Sequence, residues 1–174
     1  MIPLTAIDPT SLIGYVLRAS LVYPTLPNKP VLRSSENGAL GGFSNARTLA
    51  RIGPVISLDG TVDERQYLTP ESVDEMSREQ IRGFDPCLNG KVRMALGLGL
   101  PWSEGTFPSI LNEDDISYWS GYGGSVLIMD RRRRMTISYV MNKLKLRPAA
   151  ANSNYDLYFP ETYRGFEAYT KASS

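Results

Sequence analysis

The sequence predicts an α+β protein: helices in the first half and near the end, and an antiparallel sheet of three strands in the C-terminal half. Three observations carry this. Val92–Leu100 (VRMALGLGL), Ser125–Asp130 (SVLIMD) and Met135–Leu144 (MTISYVMNKL) are rich in alternating apolar and β-branched residues. The last two are separated only by Arg131-Arg132-Arg133-Arg134, a charged connection of hairpin length. Upstream, apolar residues recur at helical spacing between proline- and glycine-rich breaks.

Taken in order, Ser11–Leu21 places Leu12, Ile13, Val16, Leu17 and Leu21 at helical spacing, with Gly14 as a weak point. Tyr23–Pro30 holds three prolines and reads as an extended loop. Gly38, Gly41 and Gly42 carry that loop on to Phe43. Ser44 is placed to cap a helix beginning at Asn45-Ala46-Arg47. Gly53-Pro54 must kink that helix or end it near Ile52, because an interior proline loses a hydrogen bond and clashes one turn back. Asp59-Gly60 marks a turn. Thr69-Pro70-Glu71 opens the next helix: threonine caps, proline fits the first turn, and the acid meets the positive end. Its apolar residues Val73, Met76 and Ile81 are sparse, which predicts a surface helix ending by Gly83. Pro101–Asp115 reads as a loop, acidic at its end. Arg147-Pro148 closes the last strand, Ala149–Tyr158 reads as a linker, and Glu161–Lys171 as a terminal helix that Pro160 helps to start.

Composition bounds function. At 174 residues one domain is the default, long enough for a real core. Nineteen basic and eighteen acidic residues leave a net charge of +1, so bulk charge selects no nucleic acid or acidic partner. The sole cysteine, Cys87, rules out an intramolecular disulfide and reads as a small buried or half-buried thiol rather than a catalytic one. No histidine is present, which removes Ser-His-Asp and Cys-His catalysis and histidine metal sites from this chain. No cofactor or metal is expected. Met1–Ile7 lacks the build of a signal peptide and no apolar run has the length of a membrane span, so the expectation is a soluble, cytoplasmic protein.

The stretch Tyr118-Trp119-Ser120-Gly121-Tyr122-Gly123-Gly124-Ser125 is the most informative. Glycines before a buried strand let another group approach the backbone, or simply make a tight bend at a sheet edge. With its flanks, the stretch resembles the C-terminal part of the serine β-lactamase, penicillin-binding protein and esterase family, nearest its class C-like esterases and acyltransferases. Leu96-Gly97-Leu98-Gly99 fills the family's glycine-leucine-glycine slot, and Trp119-Ser120-Gly121 fills its Lys/His/Trp-x-Gly triplet. Gly123-Gly124-Ser125 follows, and Ile137-Ser138-Tyr139-Val140-Met141-Asn142-Lys143 closes the match. Upstream, Asn37-Gly38, Ser44–Ile52 and Leu68–Val73 fit the same pattern, so the resemblance covers roughly residues 8 to 147. The family's nucleophile motif, Ser-x-x-Lys, occurs nowhere in the chain, nor does its Tyr-x-Asn companion.

The resemblance implies a partial β-lactamase/transpeptidase-like fold. Residues 1–148 would be the C-terminal portion of such a domain, truncated relative to a larger hydrolase, and 149–174 a linker and helix. It also implies that Trp119, Ser120, Gly121 and Tyr122 form a substrate wall, with a backbone N–H completing an oxyanion hole, and that no residue here is the nucleophile or base. Tryptophan supplies an apolar face and one N–H in place of a cation, which favours a small ester or acyl compound over a carboxylate. A sheet lacking its N-terminal strands would keep an open edge and a partly uncovered apolar face, so a homo-oligomer or a complementing hydrolase chain is the expected partner. The alternative is a non-catalytic pseudoenzyme that binds an acyl compound or its parent enzyme. Ser120 itself fails as a nucleophile: Tyr118 and Tyr122 stand where a Gly-x-Ser-x-Gly elbow needs glycine, and no histidine can serve as base. The glycine run lacks the Gly-Lys-Ser/Thr ending of a phosphate loop. Arg131–Arg134 reads as a solvated turn rather than a nucleic-acid patch.

Overall fold

A computed structural model describes residues 8, 10–19, 25–39, 41–88, 90–105, 114–121, 124–142 and 154–173. Six α-helices and seven strands follow one another in α+β order: α1 (Leu12–Ala19), α2 (Pro30–Arg33), α3 (Ala46–Ile52), α4 (Pro54–Ser57), β1 (Thr61–Val62), β2 (Arg65–Gln66), α5 (Pro70–Ser77), β3 (Ile81–Asp85), β4 (Gly90–Met94), β5 (Ile116–Ser120), β6 (Val126–Asp130), β7 (Met135–Tyr139) and α6 (Asn154–Ala172). The long loop expected from 23 to 43 contains a short 3-10 turn at Leu26–Asn28 and the single turn of α2, started by Pro30.

Local chemistry explains the helix ends. Asn45, one residue after the expected Ser44, caps α3: its side chain accepts from the Thr48 N–H at 3.0 Å. Gly53-Pro54 ends α3 at Ile52, and Pro54 then sits in the first turn of α4, where its missing N–H costs nothing. Thr69 caps α5 as expected, accepting from the Ser72 N–H at 3.2 Å.

Two elements depart from expectation. The predicted strand Val92–Leu100 is divided. β4 ends at Met94, Ala95 donates to the Leu98 carbonyl at 2.8 Å, and Gly97 takes φ 71°, a value that a residue with a Cβ adopts at a cost. The chain therefore reverses where the alternation read as continuous. β4 pairs back onto β3, a strand that begins at Ile81, where the preceding helix was expected to run on to Gly83. The C-terminal helix is the second departure. It starts at Asn154, inside the expected linker, and carries Pro160 in its interior instead of at its start.

The central sheet is antiparallel in the order β5-β6-β7, so the neighbour of the β6–β7 hairpin is β5 and not the expected Val92–Leu100 strand. Bridges Met94↔Gly99 and Gly99↔Tyr118 connect the β3–β4 hairpin to β5. One row of paired residues thus runs Ile81, Met94, Gly99, Tyr118, Ile128, Ile137. Gly99 is required there because a Cβ would meet the Tyr118 ring at 2.7 Å.

Both faces of the sheet are covered. On one, Ile116, Tyr118, Val126 and Ile128 pack with Phe159 of α6, with Ile137, Tyr139 and Tyr163 at the margin. The apolar face expected to stay partly uncovered is therefore closed by α6. On the other, Met129 packs with Ile56 of α4 and Val73 of α5, flanked by Leu68, Met76, Leu98 and Leu127. α5 lies on the surface as expected, anchored to the core by the fully buried Val73. A hydroxyl pair, Ser57 Oγ to Thr136 Oγ1 at 2.8 Å, ties α4 to β7.

Among the described residues the outer edge of β7 has no strand paired to it. Met141 N–H bonds inward to Ser125 Oγ, and alternation turns the backbone groups of Thr136 and Ser138 outward, away from β6. No bond to them is formed among the described residues, and the buried Ser138 hydroxyl also lacks a partner there.

The arginine run is only in part a solvated turn: Arg132 and Arg134 are exposed, whereas Arg131 and Arg133 are half-buried. Arg131 reaches Asp59 at 2.6 Å and Asp74 at 2.7 Å, Arg132 reaches Asp115 at 3.1 Å, and Arg133 pairs with the fully buried Asp130 at 2.9 Å and stacks on Tyr163. The turn fastens α4, α5, the start of β5 and α6 to the sheet. No helix among the described residues is long and apolar enough to cross a membrane.

Candidate substrate-wall site

β5 carries the residues expected to form a wall. Its side chains alternate: Ile116 and Tyr118 point into the core beneath α6, while Ser117 and Trp119 lie on the opposite face. Trp119 is 52% exposed, a large apolar ring left at the rim of a face whose neighbours are buried. Ser120 is half-buried and Gly121 exposed. Tyr122, the fourth expected wall residue, lies outside the described residues.

The backbone defines the site more sharply than the side chains do. Gly121 N–H donates to Ser125 O at 2.9 Å, so Trp119 and Gly121 direct their amides toward β6. Tyr118 exchanges both of its bonds with Gly99 on the other edge, at 2.8 and 2.9 Å. Ser120 faces that same edge, by the alternation of an antiparallel ladder. The next pair of that ladder would be Gly97 with Ser120, and it is not formed, because Gly97 turns the chain back toward Ala95. Among the described residues the Ser120 amide and carbonyl have no backbone partner. Space surrounds them: a Cβ built on Gly97 or on Gly121 meets nothing within 4 Å. Gly124, with φ 107°, closes the turn into β6, so the glycine run also serves as a tight bend.

The site is electrically quiet. Ala95–Gly99 and Ser117–Gly121 contain no Asp, Glu, Lys, Arg or His. The nearest cation along the chain, Arg93, is held by Glu79 at 2.6 Å and Asp114 at 3.1 Å, and also donates to the Pro101 carbonyl. Hydrogen bonds from Arg82 and then Arg93 hold the Glu79 carboxyl down at about 2, so this cluster stays ionised and internally paired. The Ser120 hydroxyl makes no hydrogen bond to a base among the described residues. What the arrangement offers is one free amide donor, one free carbonyl acceptor and an apolar ring beside them.

Sequence reading singled out these residues of β5 as a candidate site but missed the Ala95–Leu98 turn beside them. Its signal was present, since glycine at every second position of Leu96-Gly97-Leu98-Gly99 weakens a strand, yet the leucines preserve the strand-like alternation.

Comparison with known proteins agrees with the architecture. The Beta-lactamase family profile matches residues 9–158. A family VIII carboxylesterase crystal structure superposes with a TM-score of 0.71 at 22% identity, over 85% of this chain and 39% of that one. The crystal structure of a novel penicillin-binding protein homolog from Caulobacter crescentus gives a TM-score of 0.51 at 28% identity, over 58% of this chain and 26% of that one. No curated protein sequence matches. The fold and the family match define a β-lactamase-like, serine-hydrolase-type architecture. The chain belongs to the Beta-lactamase family. It spans well under half the length of either solved relative.

Proposed function

We propose that this chain forms the substrate-wall portion of a β-lactamase-like serine hydrolase or acyltransferase, holding a neutral ester or acyl group against Trp119, Ser120, Gly121 and Tyr122. The free amide of Ser120 carries the reading. A carbonyl oxygen that accepts from this N–H is polarised, and a preorganised donor of that kind contributes a few kcal/mol where negative charge develops (roughly 3). The exposed Trp119 ring covers the adjoining alkyl group. The uncharged surroundings disfavour an anionic substrate, since no cation offsets its desolvation. A relative titled as a carboxylesterase is in keeping with an ester.

Turnover needs a nucleophile and a base that the 174 residues lack as a Ser-x-x-Lys motif. A complementing hydrolase chain, or another copy in a homo-oligomer, is the proposed source, and the outer edge of β7 is where an added strand would pair. The same missing motif favours a second reading, a non-catalytic protein that binds an acyl compound or its parent enzyme.

The test has two arms. The purified chain is expected to leave p-nitrophenyl acetate and nitrocefin at their uncatalysed rates, and stoichiometric acylation of one of its serines, seen by intact mass, would refute the division of labour. A ligand-observed NMR titration with methyl hexanoate is expected to show binding that Trp119→Ala weakens about five-fold or more. Binding indifferent to Trp119 would refute the wall.

A further inference from the structure

We propose that the turn Ala95–Leu98 is the second lip of this site and that Leu96 selects the length of the acyl chain bound there. The inference rests on the substrate-wall reading and adds a residue and a specificity to it.

The geometry points to the turn in three ways. The first is register. Gly99 pairs with Tyr118 in antiparallel sense, so Leu98 stands across from Trp119 and Gly97 across from Ser120. The turn tip, Leu96-Gly97, therefore sits beside Ser120, whose outward backbone groups have no backbone partner among the described residues. The second is space. Gly97 at φ 71° bends the tip away from β5, and neither Gly97 nor Gly121 has an atom within 4 Å of where a Cβ would stand. A gap one ladder pair long is left between two strands that are bonded immediately beyond it, at Gly99 and Tyr118. The third is chemistry. Leu98 is half-buried against the cluster of Ile56, Val73 and Met129, whereas Leu96 is 47% exposed, close to the 52% of Trp119. Two large apolar side chains thus stand in water on the two segments that meet at this unformed pair, where the Ser120 amide has no backbone partner among the described residues.

A neutral ester fits that arrangement in one sense. Its carbonyl oxygen accepts from Ser120 N–H, and its alkyl chain runs between Trp119 and Leu96. No charged residue lies in Ala95–Gly99 or Ser117–Gly121 to hold a carboxylate there. Each methylene withdrawn from water strengthens binding, so a short acyl chain that ends before Leu96 gains nothing from it and a longer one does.

The experiment titrates methyl acetate and methyl hexanoate against the wild-type chain, Leu96→Ala, Leu96→Met and Trp119→Ala by ligand-observed NMR, with thermal melts to verify folding. Leu96→Ala is expected to weaken methyl hexanoate about three- to ten-fold and to leave methyl acetate unchanged. Leu96→Met, which keeps an apolar side chain of similar volume, is expected to restore the preference. Equal loss for both esters, or none, in Leu96→Ala overturns the proposal. If Trp119→Ala weakens methyl hexanoate and Leu96→Ala does not, the second lip falls and the wall stands. If neither ester binds the wild-type chain, both fall together.

Discussion

Removing the Arg133 side chain should cost several times more than removing its neighbour Arg132, although the two look alike in the sequence. Arg133 donates from Nη1 to Asp130 Oδ2 at 2.9 Å, and its own backbone N–H reaches Asp130 Oδ1 at 2.9 Å. Asp130 is fully buried, and the Arg133 side chain is 20% exposed. Breaking a buried ion pair from one side costs about 3–5 kcal/mol, because a charge is left buried without its partner. Two features lower that figure for Arg133→Ala. The backbone N–H still serves Oδ1, and the gap left at a partly exposed arginine admits water to Oδ2. Losing the stack on Tyr163 adds about 0.5–1 kcal/mol. The expected cost is about 2–4 kcal/mol. Arg132 and Asp115 are 56% and 47% exposed, and a surface pair of that kind contributes about 0–1 kcal/mol. In a chain of 174 residues each kcal/mol moves Tm by about 2–4 °C, so the two variants should separate clearly in a calorimetric scan, with urea midpoints as a second measure. Two variants within 0.5 kcal/mol of each other would refute the assignment of Arg133 to Asp130.

Two other outcomes follow from the packing and the charges. Phe159→Ala should cost about 3–5 kcal/mol and promote self-association, because Phe159 is the buried residue by which α6 closes the sheet; urea unfolding with sedimentation checks this, and a loss under about 1 kcal/mol would mean that α6 is not docked there. Glu79→Gln should lower Tm at neutral pH and matter less in acid. The Glu79 carboxyl is held at about 2, below its ordinary 4.5, so its stabilisation is present above pH 4.5 and disappears as pH falls toward 2; paired melts between pH 7 and 2 test it, and a difference independent of pH would refute the role of Arg82 and Arg93.

The sequence by itself determined the local structure wherever a short-range rule decides. Thr69-Pro70 starts α5, Pro54 ends one helix and starts another, and the alternation of Ser125–Asp130 and Met135–Leu144 makes the expected hairpin, whose second strand ends at Tyr139. The ordered motifs also sufficed to point to the family and to Trp119-Ser120-Gly121, since those signals are strings of residues. Tertiary structure decided the rest. Leu96-Gly97-Leu98-Gly99 has the alternation of a strand, and only the close approach of Tyr118 to Gly99 and the bend at Gly97 make it a reversal. Tyr158-Phe159-Pro160 has the composition of a linker end, yet Phe159 finds an apolar face made by residues about 30 to 45 positions away, and that burial favours a helix despite its interior proline. Arg131 and Arg132 belong to one charge run in the sequence, and their carboxylate partners Asp59, Asp74 and Asp115 lie 17 to 72 positions away. Pairing across such separations depends on where the backbone has already folded, and no window of neighbouring residues contains that information.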